Sequence, residues 1–250
     1  MPRFKLKKEK IMDYKELDFR GVSAERQWDV SAAFPVLMRK VYVWMTLALV
    51  ITGFTAYGVA TSPGIQQLVF GNSIVMWGLI IAEFALVIGV SAAINKLSLT
   101  TATLMFILYS VINGALLSSI FLIYTASSIA TVFFITAGTF GAMALVGYTT
   151  KTDLTSMGKI LFMALIGLVI ATLVNLFVKS SGFTLILSYV GVLIFVGLTA
   201  YDSQKIKQMM LQAPDAGEGA QKLALLGALT LYLDFINLFI YLLRIFGKRE

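Results

Sequence analysis

Neither cysteine nor histidine occurs in the 250 residues. Their absence excludes the usual structural and catalytic zinc sites, thiol catalysis, disulfides and cysteine-linked haem. The redox compartment is unreadable from such a chain, and the side chain that ordinarily titrates near neutral pH is missing. Any pH sensing near neutrality therefore falls to carboxylates in unusual surroundings. Charge is scarce as well: 13% of residues are Asp, Glu, Lys or Arg, against roughly 25% in soluble domains. The four prolines are Pro2, Pro35, Pro63 and Pro214, and none interrupts an apolar run. That weighs against the broken-helix binding sites of many secondary transporters.

What fills the chain is apolar. Hydrophobic residues make up 58% of it, and mean hydropathy is +0.86. Seven apolar runs lie at about 41–60, 74–94, 102–124, 127–148, 159–178, 183–203 and 223–245. Each is near the ~20 residues that a helix needs to cross a bilayer. The fold class predicted is an all-α membrane protein with seven transmembrane helices. The tight connection from Tyr124 to Ser127 makes the third and fourth helices antiparallel neighbours. Residues 1–36 read as a polar N-terminal tail without the core and cleavage site of a signal peptide, and 37–250 as the transmembrane domain.

Orientation follows from the basic residues beside the runs. With the N-terminus cytoplasmic, sixteen Lys and Arg lie inside and four outside: Lys179, Arg244, Lys248 and Arg249. Topology thus accounts for the net charge of +7, and nucleic acid is not an expected partner. The basic C-terminus dissents, because seven spans place it outside; the last run is nevertheless expected to span.

Three carboxylates fall inside runs. Asp234 lies mid-way along the seventh, on a helical stripe with Gly227, Thr230, Asn237 and Tyr241. An ionisable group there costs ~3 kcal/mol or more unless it faces protein, water or a partner. Glu83 is central in the second run. Asp202 ends the sixth, on a face with Thr184, Ser188, Gly191, Phe195 and Leu198. Each could instead be a neutral carboxyl bonded to Asn113, Asn175, Asn237 or a tyrosine. At 1.5 Å per residue, Asp234 and Glu83 both lie ~18 Å deep and Asp202 only ~8 Å. Depth alone therefore pairs Asp234 with Glu83. The glycines of the runs, among them Gly114, Gly138, Gly141, Gly191 and Gly197, are expected to allow close helix approach.

The chemistries open to these carboxylates are cation passage, intramembrane aspartyl proteolysis, proton-coupled transport and a packing role in a scaffold. Calcium takes about 6–8 oxygen ligands, which carboxylates, Asn and water could supply. Proteolysis is disfavoured: Asp234 lacks a Gly-x-Gly-Asp context, and no Pro-Ala-Leu follows it. The chain is not expected to be an enzyme.

Five segments occur in a characteristic order: Lys40 to Leu49, Tyr109 to Gly114, Thr150 to Leu154, and the surroundings of Asp202 and Asp234. Together they resemble the transmembrane Bax-inhibitor-motif (Bax inhibitor-1) family in its bacterial form, over residues 36–250. The resemblance implies six helices around a central C-terminal seventh, and a pH-sensitive calcium-leak channel of the cytoplasmic membrane. By matching motifs, Asp202 and Asp234 become the pH sensor and gate and a transient Ca²⁺ site, which overrules the depth count. Glu83 and Asn237 fall on the ion pathway, with Thr230, Tyr241 and Asn113 as supporting polar groups. No cofactor is implied; Ca²⁺ is the ion carried, with H⁺ and lipid as the other partners. Ala93 stands where many relatives carry an arginine that latches an aspartate, so the latch does not transfer. The alternative the resemblance allows is a non-conducting scaffold that modulates a membrane protease or a stress and cell-death response.

Overall fold

The computed structural model describes the backbone of residues 13–249 and the side chains of residues 33–249. Residues 1–12, the first part of the expected polar tail, lie outside the described residues. Within them the chain forms eight α-helices: α1 (Asp13–Ala60), α2 (Pro63–Phe70), α3 (Ser73–Ala93), α4 (Leu99–Leu117), α5 (Ala126–Thr149), α6 (Thr155–Val178), α7 (Ser181–Leu211) and α8 (Glu218–Phe246). All but α2 are long and apolar enough to cross a membrane. The seven expected spans are all present.

Local chemistry explains where the helices begin. The Asn72 side chain accepts from the Ile74 amide at 3.0 Å, Ser98 from Thr101 at 3.1 Å and Ser180 from Phe183 at 3.2 Å. Each satisfies an amide that the first turn leaves without a helical partner. Lys179 ends α6 with φ 52°, which turns the chain straight into α7.

Three boundaries differ from expectation. α1 runs unbroken through residue 36 and well ahead of the first apolar run, with Pro35 inside the helix. The connection after that span contains α2, a two-turn helix with Ile65 and Leu68 exposed and Val69 buried. Most important, α7 continues past Ser203 to Leu211 and α8 starts at Glu218, so the two extend together beyond the apolar runs.

Packing is layered. α8 is the most buried span and packs chiefly against α1, α4, α5 and α7, while α3 leans on α4 and α6 on α7. Four helices therefore flank α8 closely, where six were expected around it. Tyr232, Leu231, Leu238 and Leu225 of α8 are fully enclosed. The lipid-facing surfaces of α3 and α6 carry Ile74, Phe84, Phe177 and Phe162. Glycine permits the closest crossings: a Cβ on Gly147 would collide with the Ala200 carbonyl of α7, and one on Gly114 with the Thr52 backbone of α1. Gly191 and Gly197 likewise sit against side chains, but nothing lies within 4 Å of a Cβ on Gly138 or Gly141. Those two do not mediate close approach.

The C-terminus is fastened at the far face. The Thr125 amide donates to the Lys248 carbonyl at 3.0 Å, and the Lys248 amide to Ser128 Oγ at 2.9 Å. At the N-terminal face, Lys40 Nζ donates to Gln221 Oε1 at 2.7 Å and Lys222 Nζ to the Leu97 carbonyl at 3.0 Å.

Candidate functional site

Helices α7 and α8 run antiparallel, with Gly227 against Ile206 and Tyr241 against Gly191. Between those contacts the side chains of Asp202 and Asp234 meet within hydrogen-bonding range. Their exposures are 9% and 4%, so the pair is enclosed by protein. A hydrogen bond between two carboxyls needs one proton between them. Asp234 Oδ2 and the neighbouring Ser203 Oγ have no hydrogen-bond partner. An unpaired buried carboxylate oxygen is costly, and a proton shared between the two carboxyls lowers that cost.

The depth count is thereby corrected. Asp234 meets Asp202 and not Glu83, because the extensions of α7 and α8 lower the turn between them and shift their register. Among the described residues neither aspartate forms an ion pair; the single pair found there is Lys222–Glu218, at 3.6 Å. Lys205, one turn along α7, is the cation acting on Asp202. Ala93, half-buried at the end of α3, offers no charge.

Glu83 belongs to a second cluster on a different side of α8. A cleft of about 440 Å³ between α3, α4 and α8 is lined by Glu83, Tyr109, Asn113 and Asn237 among apolar residues. The Asn113 amide donates to Glu83, and Tyr109 lines the same cleft. Behind Asn113, the chain continues inward: Tyr232 hydroxyl to Asn113 Oδ1 at 3.0 Å, Thr52 Oγ1 to the Tyr232 hydroxyl at 2.7 Å, and Thr52 Oγ1 to the Ser110 carbonyl at 3.0 Å. Glu83, Asn113 and Asn237 thus line one cleft. Asp202 and Asp234 do not line this cleft.

The polar stripe of α8 divides accordingly. Asn237 faces the cleft and donates to its own Leu233 carbonyl at 2.8 Å. Tyr241 turns toward α7, stacked on Phe195 at 5.9 Å. Thr230 donates to the Leu226 carbonyl at 3.1 Å, which spends its proton within the helix. Sequence reading missed Thr52 and Tyr232. Each is one of several hydroxyl residues in its run, and nothing in their spacing singles them out.

No group of three or more Asp or Glu occurs among the described residues. Two carboxylates supply at most ~4 oxygens, fewer than the ~6–8 that calcium takes, so an ion at the pair would keep water.

Residues 35–250 match the family model described as "Inhibitor of apoptosis-promoting Bax1". The chain belongs to the Bax inhibitor family. Among its relatives in that family is the inner membrane protein YbhL of Escherichia coli K12, 53% identical over 220 residues, covering 88% of this chain and 94% of that protein. An uncharacterized protein of Borreliella burgdorferi is 48% identical over 213 residues, covering 85% and 92%. An uncharacterized membrane protein of Streptococcus pyogenes serotype M1 is 37% identical over 214 residues, covering 84% and 92%. None of these three relatives carries an enzymatic name.

Proposed function

We propose that this membrane protein is a pH-sensitive calcium-leak channel, gated by the Asp202/Asp234 pair and resident in the cytoplasmic membrane with its N-terminus inside. One observation supports this reading above the others: two buried carboxyls meet at the α7/α8 interface, and one oxygen has no partner. With a proton shared, the pair holds the two helices together. When that proton is lost, two like charges face each other in a poorly solvated interface, and repulsion favours separation. The cleft with Glu83 and Asn237 then provides oxygens on the ion's route, with water completing its shell.

The test is calcium flux into dye-loaded liposomes across a pH series. Wild-type flux rises with pH, while Asp234→Asn and Asp202→Asn, which cannot ionise, flatten the dependence. Identical pH profiles in wild type and both variants sink the gating reading. No flux from reconstituted wild type, together with co-purification of a membrane protease, supports instead a non-conducting scaffold that modulates turnover or stress response.

A further inference from the structure

The four basic residues that break the positive-inside pattern are not scattered. Lys179 caps α6, and Arg244, Lys248 and Arg249 fall within the last seven residues. Two of them, Arg244 and Arg249, line one cavity of about 600 Å³ between the end of α6, the start of α7 and the C-terminus. Among the described residues no Asp or Glu lines it, and no ion pair engages either arginine. Arg244 lies over the Tyr241 ring at 5.4 Å, a contact that fixes the guanidinium face and leaves its edge donors available.

The other polar liners have already spent much of their capacity. Asn175 Nδ2 donates to Thr184 Oγ1 at 2.7 Å, Thr172 to the Leu168 carbonyl at 2.8 Å, and Ser188 to the Thr184 carbonyl at 2.8 Å. These bonds make a rigid, uncharged wall. What remains unmet is positive charge with planar, forked donors, which matches a phosphate or carboxylate. The rim is apolar: Leu176 and Leu185 line the opening, and with Phe177 beside them they are exposed at 63%, 45% and 88%. A polar, cationic floor under an apolar lip fits a molecule that is anionic at one end and hydrocarbon at the other.

We propose that this cavity holds the phosphate of an anionic phospholipid headgroup, with Arg244 and Arg249 as its charged contacts and the acyl chains along α6 and α7. Lipid in place explains how a basic C-terminal segment is accommodated on the face where such residues are otherwise few. It also ties α8, which carries Asp234, to the lipid composition of one leaflet.

The test uses the full chain, reconstituted in vesicles of equal phosphatidylglycerol and phosphatidylcholine, extracted in mild detergent and weighed by native mass spectrometry. Wild type retains phosphatidylglycerol over phosphatidylcholine by tenfold or more, and retention falls about fivefold for each of R244Q and R249Q. K248Q, on the same face but outside the cavity lining, changes retention less than twofold. Equal retention of both lipids, or undiminished retention in the R244Q/R249Q double variant, overturns the proposal. So does an equal loss in K248Q, which marks diffuse surface charge. A parallel arm adds millimolar inorganic phosphate: lipid that stays bound supports the headgroup. Arginine-dependent binding of the free ion with no lipid retained overturns the lipid assignment.

Discussion

The Tyr232 hydroxyl on α8 donates to the Asn113 side-chain carbonyl on α4 across 3.0 Å. That contact belongs to a chain with more bonds than hydroxyl protons. Tyr232 and Thr52 have one proton each, yet they are shared among Asn113, Ser110 and each other. With the Asn113 amide aimed at an ionised Glu83, Thr52 must divide its proton between Ser110 and Tyr232. Turning the Asn113 amide over reverses the bonds at Tyr232: Asn113 donates to Tyr232 and Tyr232 to Thr52, while Thr52 gives its whole proton to the Ser110 carbonyl. The Asn113 carbonyl then faces Glu83, which must carry a proton. The direction of the chain and the charge on Glu83 are linked.

Tyr232→Phe is expected to lower stability by about 1–2 kcal/mol, since it leaves the buried Asn113 carbonyl without a donor. Glu83→Gln, which can donate or accept, should stay within about 0.5 kcal/mol of wild type. Thermal unfolding in detergent distinguishes them. Equal midpoints for Tyr232→Phe and wild type would show that the chain contributes nothing to folding.

Close helix crossings make a paired expectation. Gly147→Ala places a methyl against the Ala200 carbonyl, two residues from Asp202, and backbone cannot move aside as a side chain can. The cost is expected at about 1–3 kcal/mol. Gly141→Ala meets nothing within 4 Å and should be neutral or stabilising by up to about 1 kcal/mol through helix propensity. Unfolding midpoints of the two variants should fall on opposite sides of wild type, or at least well apart.

The seven spans were legible because bilayer thickness imposes a length on each apolar run, and Asp234 stood out because ionisable groups are costly there. Its partner was not legible from depth. The count took the run from Leu223 as the start of the last helix, whereas α8 begins at Glu218 and α7 ends at Leu211. Polar residues at those ends hid the extension, and only the family resemblance brought Asp202 to Asp234. Glycine was ambiguous for a similar reason: Gly114 and Gly141 look alike in sequence, and only the neighbour decides which one is needed for packing. Thr52 and Tyr232 became visible once three helices had placed them side by side.

Outside the membrane, Asp153 allows a pH expectation with a definite sign. Its carboxylate accepts from the Thr155 hydroxyl at 2.6 Å and the Thr155 amide at 2.9 Å, and these bonds hold it below its ordinary value of 3.8. Its contribution to the start of α6 is therefore fully present above 3.8 and is lost as pH falls through the lowered folded value. Hydrogen exchange at the Thr155 amide should accelerate, relative to the intrinsic rate, only in that acid range. Asp153→Asn should remove the pH dependence, and an unchanged profile in that variant would assign it to another group.

The two polar clusters on α8 should separate kinetically if the pair gates and the cleft conducts. Asp234→Asn leaves the cleft intact, so calcium flux should persist but lose its rise with pH. Glu83→Gln leaves the pair intact, so flux should fall at every pH while the midpoint of the profile stays in place. Removing an oxygen charge from a hydrated path weakens cation attraction by about 1 kcal/mol or more at these separations, enough for a fivefold fall. The double variant should then show a low flux that is also flat, the two effects multiplying because the residues share no contact. If Glu83→Gln instead shifts the midpoint, the cleft is part of the sensor. The cleft and the aspartate pair would then be coupled through α8, whose Tyr232 and Asp234 sit two residues apart and face different neighbours.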